Sequence, residues 1–252
     1  RMGHTMVVDS VGWVWMFGGL NQNQEALQDL RVFHPSNFSS RSVPLTSYQT
    51  RSQPSARFFH AATFSPLTNS MYIMGGTNGQ FHFSDFWRLD LVKFEWTSLE
   101  TNINPSWASD DTDNWEKFQK LPSLAGHTLT YCPNTKSLIL IGGHSTETGY
   151  NSQVLEYDLL QRRWQEITTN GFGPRGIFGH STIYSERSRS FHVFGGHVFN
   201  INESFISNNL WTLQSKSMTW SLMPFDQHHS KALYHLENRI SPRFLHTAVA
   251  KE

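Results

Sequence analysis

Apolar residues in this chain fall in short runs of four or five, with no sustained helical spacing. Four of the runs end on paired glycines: WVWMFGG, SMYIMGG, SLILIGG and SFHVFGG. The pairs are Gly18-Gly19, Gly75-Gly76, Gly142-Gly143 and Gly195-Gly196. Before each lies another run that opens on a histidine: HTMVV, HAATF, HTLTY and HSTIY, from His4, His60, His127 and His180. The histidine precedes the first glycine by 14 or 15 residues every time. A polar turn separates the two runs. After the glycines come a third run (DLRVF, DFWRLD, VLEYD, NLWTL) and a fourth that carries Trp96, Trp164 and Trp220. Short apolar runs bounded by Gly, Pro, Asn, Asp and Ser predict β-strands.

The unit of four strands recurs every 53 to 67 residues, counted between the glycine pairs. Repetition at that period, with no helix between, predicts an all-β fold built of propeller blades. Two β-sandwiches would not require a fixed spacing from histidine to glycine pair. Residues 1–252 therefore read as a single propeller, with blades at about 1–56, 57–122, 123–175 and 176–242. RFLHTAVA, with His246, restarts the pattern and predicts the first strand of a fifth blade over 243–252. In the first repeat Ser40 stands where the others have tryptophan.

The glycine pair after an aliphatic strand and the tryptophan closing the blade resemble the kelch repeat. That resemblance implies first strands lining a central channel and a ring of six or seven blades. Four blades and one strand are then expected to form an arc with apolar end faces. The second half is more specific. GHTLTYCPNTKSLILIGGHSTETGYNSQVLEYDLLQRRWQEI and FGHSTIYSERSRSFHVFGGHVFNINESFISNNLWTLQSKSMTW resemble the attractin family, with its multiple-EGF-domain receptors. Gly149-Tyr150 before the VLEY strand, the opening GIFGHS and the long loop before NNLW carry the match.

This resemblance implies a non-enzymatic protein-binding module in the ectodomain of a single-pass membrane receptor, on the extracellular side of the cell membrane. It implies a glycoprotein with EGF-like modules elsewhere in its chain. Some members act with a cytoplasmic ubiquitin ligase to lower the surface level of signalling receptors. The alternative is an intracellular kelch adaptor that recruits a client to a ubiquitin ligase or the cytoskeleton.

Charge and composition narrow the field. Twenty basic residues balance twenty acidic ones, which leaves no basic field for nucleic acid. No apolar run reaches the roughly 20 residues of a membrane span, so no membrane contact is expected of this segment itself. No secretory leader is visible, and the repeat is already running at the first residues, as in a piece of a longer protein. A single cysteine, Cys132, excludes an internal disulfide framework. Asn37 and Asn202 lie in N-glycosylation sequons, and proline disqualifies the one at Asn104.

The recurring His4, His60, His127, His180 and His246 read as structural, bonding backbone groups at the entry of each inner strand. The glycine pairs read as sites of sharp turning and close approach. His228, His229 and His235 in HHSKALYH fit no regular ligand spacing and read as a solvated loop. Copper-radical chemistry, known in some kelch propellers, needs a tyrosine and histidine set that cannot be assembled around Cys132. GFGPRG opens no helix, and the acidic stretch from Asp110 to Glu116 reads as a solvated linker. No catalytic residue, metal ligand or cofactor is expected.

Binding is expected in loops, since the blades are committed to packing. The long ones, 20–28, 77–84, 144–152 and 197–208, fall on one face with the inter-blade connectors 41–56, 99–124, 166–178 and 222–243. Phe81, His82, Phe83, Tyr150, His197 and Phe199 are the candidate anchors for a protein partner, with Trp107 and Trp115 in the longest connector.

Overall fold

The computed structural model describes residues 1–34, 36, 39–43, 53–104, 119–200, 203–223 and 240–249. The first blade is a meander of β1 (Thr5–Val8), β2 (Val14–Phe17), β3 (Leu30–Phe33) and β4 (Ser40–Ser42). The second is β5 (Ala61–Ser65), β6 (Ser70–Met74), β7 (Phe86–Asp90) and β8 (Glu95–Leu99). Two short strands follow, β9 (Asn102–Asn104) and β10 (Gln119–Lys120). The third blade has β11 (Thr128–Cys132) and β12 (Ser137–Ile141), then a small hairpin of β13 (His144–Ser145) and β14 (Gly149–Tyr150), then β15 (Val154–Asp158) and β16 (Arg163–Ile167). After β17 (Ile177–Phe178), the fourth has β18 (Ser181–Ser185) and β19 (Ser190–Phe194), a hairpin of β20 (His197–Asn200) and β21 (Glu203–Ile206), then β22 (Leu210–Gln214) and β23 (Thr219–Leu222).

Each blade is thus four antiparallel strands in sequence order, as the repeat predicts. The first strands of successive blades lie side by side: β1 by β5, β5 by β11, β11 by β18. The second strands of the two inner blades, β6 and β12, are buried at every residue and so on both faces. A strand wedged between two blades has no solvent side, which is why these runs are continuously apolar and do not alternate.

The core is a series of seams. One cluster joins blades one and two through Phe17, Leu30, Met71 and Trp96; another joins two and three through Met74, Phe86, Leu138 and Trp164. The third joins three and four through Ile139, Phe191 and Trp220. Each closing tryptophan leans on the blade before it. Trp96 meets Phe17 at 5.3 Å and Trp164 meets Phe86 at 5.0 Å, both edge-on. Ser40 has no preceding blade to fill among the described residues, and β4 is exposed along its length.

Three features differ from the sequence-based expectation. The connector 99–124 is not all loop: β9 pairs in parallel with β16 and β10 with β9, so the third blade is a six-stranded sheet. Ile103, opposite Trp164, is buried there, which covers an outer edge that would otherwise stand open. The loops 144–152 and 197–208 are hairpins. Residues 241–249 form no strand; they lie in the place of a fifth inner strand, but no second strand among the described residues pairs with them. Both ends of the arc are apolar and exposed, with Met6 and Val8 at one and Leu222, Met223 and Leu245 at the other.

Candidate interaction face

The glycine pairs are the joints between blades. Both glycines of each pair have positive φ, from 61° to 100°. The second donates its N–H across the seam: Gly19 to the carbonyl of Arg57, Gly76 to Leu124, Gly143 to Ile177 and Gly196 to Arg243, at 2.7–2.8 Å. The first lies beneath that same carbonyl. A Cβ on Gly75 would sit 2.5 Å from the Leu124 oxygen and 2.9 Å from the His127 ring. Close approach, more than turning, demands glycine here.

The repeat histidines lock the same joints, three of them through hydroxyls where backbone groups were expected. His60 Nε2 is hydrogen-bonded to Thr5 Oγ1 (2.6 Å), His180 Nε2 to Thr128 Oγ1 (3.0 Å) and His246 Nε2 to Ser181 Oγ (2.9 Å). Each reaches the hydroxyl that follows the histidine of the preceding blade. At His127 that neighbour is Ala61, so the buried ring finds no hydroxyl and is left facing the Met74 backbone. Burial pushes His127 and His180 down to about 3 and His60 well below its ordinary value; the Met74 backbone opposes the shift at His127. A second chain of bonds runs one residue earlier. Phe59 N–H donates to the Gly3 carbonyl, Gly126 to Phe59, Gly179 to Gly126 and Leu245 to Gly179, at 2.6–2.8 Å. Arg57, fully buried, adds a two-pronged bond to Asp85 (2.6 and 2.8 Å) and lies over the Phe83 ring at 4.1 Å.

Just past each joint the chain turns back over the blade and makes a small lip. Bridges link Met2, Leu20 and Ala26 in the first blade, and Phe58, Thr77 and His82 in the second. In the third, Ala125 bridges His144, which pairs with Tyr150; in the fourth, Phe178 pairs with His197 and His197 with Ile206. These lips carry a continuous row of rings across three blades. His82 meets His144 at 5.9 Å, and His144 meets Tyr150 at 4.9 Å. Tyr150 stacks on Phe199 at 5.1 Å, nearly parallel, and its hydroxyl is hydrogen-bonded to His197 Nδ1 at 3.1 Å. His197 then meets Phe244 at 6.4 Å, and Ser204 Oγ holds its other nitrogen at 2.8 Å. Phe81, Phe199 and Phe244 are 52%, 50% and 41% exposed. His82 is held below the usual imidazole range by burial, then by the neighbouring His144.

Of the six sequence candidates, the row therefore gathers His82, Tyr150, His197 and Phe199, with Phe81 flanking it at Phe83 (5.2 Å). Phe83 belongs to the framework under Arg57. Sequence reasoning missed His144 and Phe244. His144 follows its glycine pair as His197 follows the next, and that equivalence was the available signal. Asn37, Asn202, Trp107, Trp115, His228, His229, His235 and the acidic stretch lie outside the described residues. Cys132 ends β11, fully buried, and packs in the seam with Ile139 and Phe191. Among the described residues no three His, Cys, Asp or Glu side chains are grouped to hold a metal ion, and no helix is long and apolar enough to cross a membrane.

Comparison with known proteins places this architecture. A family model described as Attractin/LZTR1 beta-propeller matches residues 14–252. Multiple epidermal growth factor-like domains protein 8 of Mus musculus is 35% identical over 224 residues, 88% of this chain and 8% of that protein. The Homo sapiens protein of the same name is 35% identical over 88% of this chain and 7% of its own length. Acyl-CoA-binding domain-containing protein 5 of Arabidopsis thaliana is 30% identical over 183 residues, 73% of this chain and 26% of that protein. The chain thus spans less than a tenth of the mammalian relatives it matches. With the blades, their glycine joints and this match over nearly the whole length, the chain belongs to the Attractin/LZTR1 β-propeller family.

Proposed function

We propose that this propeller is a non-enzymatic protein-binding module in the ectodomain of an attractin-like single-pass membrane receptor, facing the cell exterior, with a ubiquitin ligase acting on the receptors it engages. One observation carries the binding role: the row from His82 to Phe244, three blades long, on a rigid frame. Tyrosine, phenylalanine and imidazole rings held half-buried by neighbours lose little freedom on binding, which makes them efficient anchors. The receptor setting is supported by the relatives, whose name carries epidermal growth factor-like domains.

The test is surface cross-linking of the full-length protein in cells. Tyr150→Ala with Phe199→Ala is expected to remove at least one cross-linked surface protein that the parent captures. Identical capture by both forms refutes the role of the row. Mass spectrometry of Asn37 and Asn202 checks the side of the membrane. Sugar on either is expected, and two bare asparagines on protein made in secretory cells favour the adaptor alternative.

A further inference from the structure

The fourth blade departs from the others at its lip. Where they have single bridges or a two-residue hairpin, it has a three-stranded sheet, with β20 in the centre, β17 on one side and β21 at the edge. Hydrogen-bond parity says which backbone groups are already used. Phe199 N–H donates to the Gly176 carbonyl at 3.0 Å, and Ser207 N–H to the Gly196 carbonyl at 2.8 Å. Opposed residues in an antiparallel ladder alternate between bonded and non-bonded pairs. Phe205, opposite Val198, and Glu203, opposite Asn200, therefore turn their N–H and C=O toward β20. Those of Ser204 and Ile206 point the other way, where no strand lies among the described residues. Soluble proteins blunt such edges with charge, proline or a bulge. β21 is four residues long and opens on Glu203, whose backbone is turned toward β20; Ser204 and Ile206, whose backbone groups face outward, carry no charge, proline or bulge, and Ser204, Phe205 and Ile206 are exposed.

We infer that the outer edge of β21 is a template for strand addition and takes an extended segment of a partner protein. This rests on the protein-binding role proposed above and names how the partner is held. Only an extended backbone presents alternate carbonyls and N–H groups at the spacing that Ser204 and Ile206 require. Alternation puts His197, Phe199, Ser204 and Ile206 on one face of the small sheet, the face that carries the stack with Tyr150. An added strand sets every second side chain beside that platform, where aromatic and β-branched residues pair best. A second copy of the chain is a poor occupant. Four residues span about 14 Å at ~3.4 Å each, too little edge for the roughly 1,000 Å² that a specific dimer buries. A segment that continues along the ring row gains that area from Tyr150, His144 and His82.

Amide hydrogen exchange, read residue by residue by NMR on the intact protein, tests this. In the free protein the amides of Ser204 and Ile206 are expected to exchange at least ten-fold faster than those of Phe205 and Ser207. Twelve-residue peptides selected on the protein from a random display library are then added. They are expected to slow Ser204 and Ile206 ten-fold or more and leave Phe205 unchanged, and N-methylation at alternate peptide nitrogens is expected to abolish the effect. Slow exchange at both residues in the dilute free protein overturns the proposal, because the chain then covers its own edge. Protection that grows with protein concentration alone, with a doubled mass, assigns the edge to a second copy and also overturns it. Peptides that shift Tyr150 and Phe199 resonances without protecting the two amides end the strand-addition proposal and leave the ring row as the binding surface. A selection that yields no binder counts against it as well.

Discussion

His127 shows how much one atom decides at a blade joint. Its counterparts in the neighbouring seams find a hydroxyl on Thr5, Thr128 or Ser181; Ala61 offers His127 none. A buried polar atom without a partner costs about 1–3 kcal/mol. Ala61→Ser is therefore expected to stabilise the protein by about 1 kcal/mol, read as a higher urea midpoint with unchanged slope. Thr128→Ala should do the opposite, by orphaning His180. An equal response to the two changes contradicts the account. Gly75→Ala probes the other half of the joint. A Cβ 2.5 Å from the Leu124 oxygen, on a backbone at φ +61°, combines strain with overlap. The expected loss is about 3 kcal/mol or more, with blades two and three separating first in hydrogen exchange.

Among the elements, the closing strand carries the most weight. Trp164 is fully buried against Phe86 and Tyr157, while its indole nitrogen has no hydrogen-bond partner. Its contribution is therefore packing. Trp164→Ala is expected to cost about 3–5 kcal/mol, and Trp164→Phe distinctly less, since no hydrogen bond is lost with the indole. Equal losses in thermal melts of the two variants would show that the nitrogen matters after all. The parallel pairing of β9 with β16 belongs to the same scale. It places Ile103 over the outer edge of the third blade, a role that no feature of a polar connector announces before folding.

The whole molecule should be sensitive to acid. Burial holds His60, His127 and His180 below the ordinary imidazole range in the folded state, because an imidazolium there would be desolvated; at His60 and His180 its Nδ1–H would also find no acceptor. Unfolded histidines titrate near 6.5, so the unfolded chain binds more protons below that pH. The stability these joints provide is fully present above about 6.5 and is lost as pH falls toward about 3, where His127 and His180 protonate in the folded state. The urea midpoint is expected to fall steadily from pH 7 to pH 4. A flat profile from pH 7 to pH 5 would remove the histidines from the stability account. Because the same device recurs at each joint, acid should act on the arc as a unit rather than on one blade.

Much of this was legible in the chain. The histidine, the glycine pair and the tryptophan recur at near-constant spacing because every joint poses the same steric problem, and a repeated problem leaves a repeated signature. The four-strand meander and its repetition through the described blades follow from that signature alone. What the repeat could not disclose lies between repeats. That His60 bonds Thr5, that Gly76 bonds Leu124 and that Trp164 leans on Phe86 are contacts across dozens of residues, set by how one blade seats on the next. The candidate surface divides in the same way. Single rings at His82, Tyr150 and Phe199 could be chosen as loop aromatics, but their union into one row, and the inclusion of His144 and Phe244, came only from adjacency across blades. The open edge of β21 is the extreme case. Loop residues 203–206 became a strand by pairing with β20, and hydrogen-bond parity within that sheet, which no local pattern encodes, decided which amides face outward.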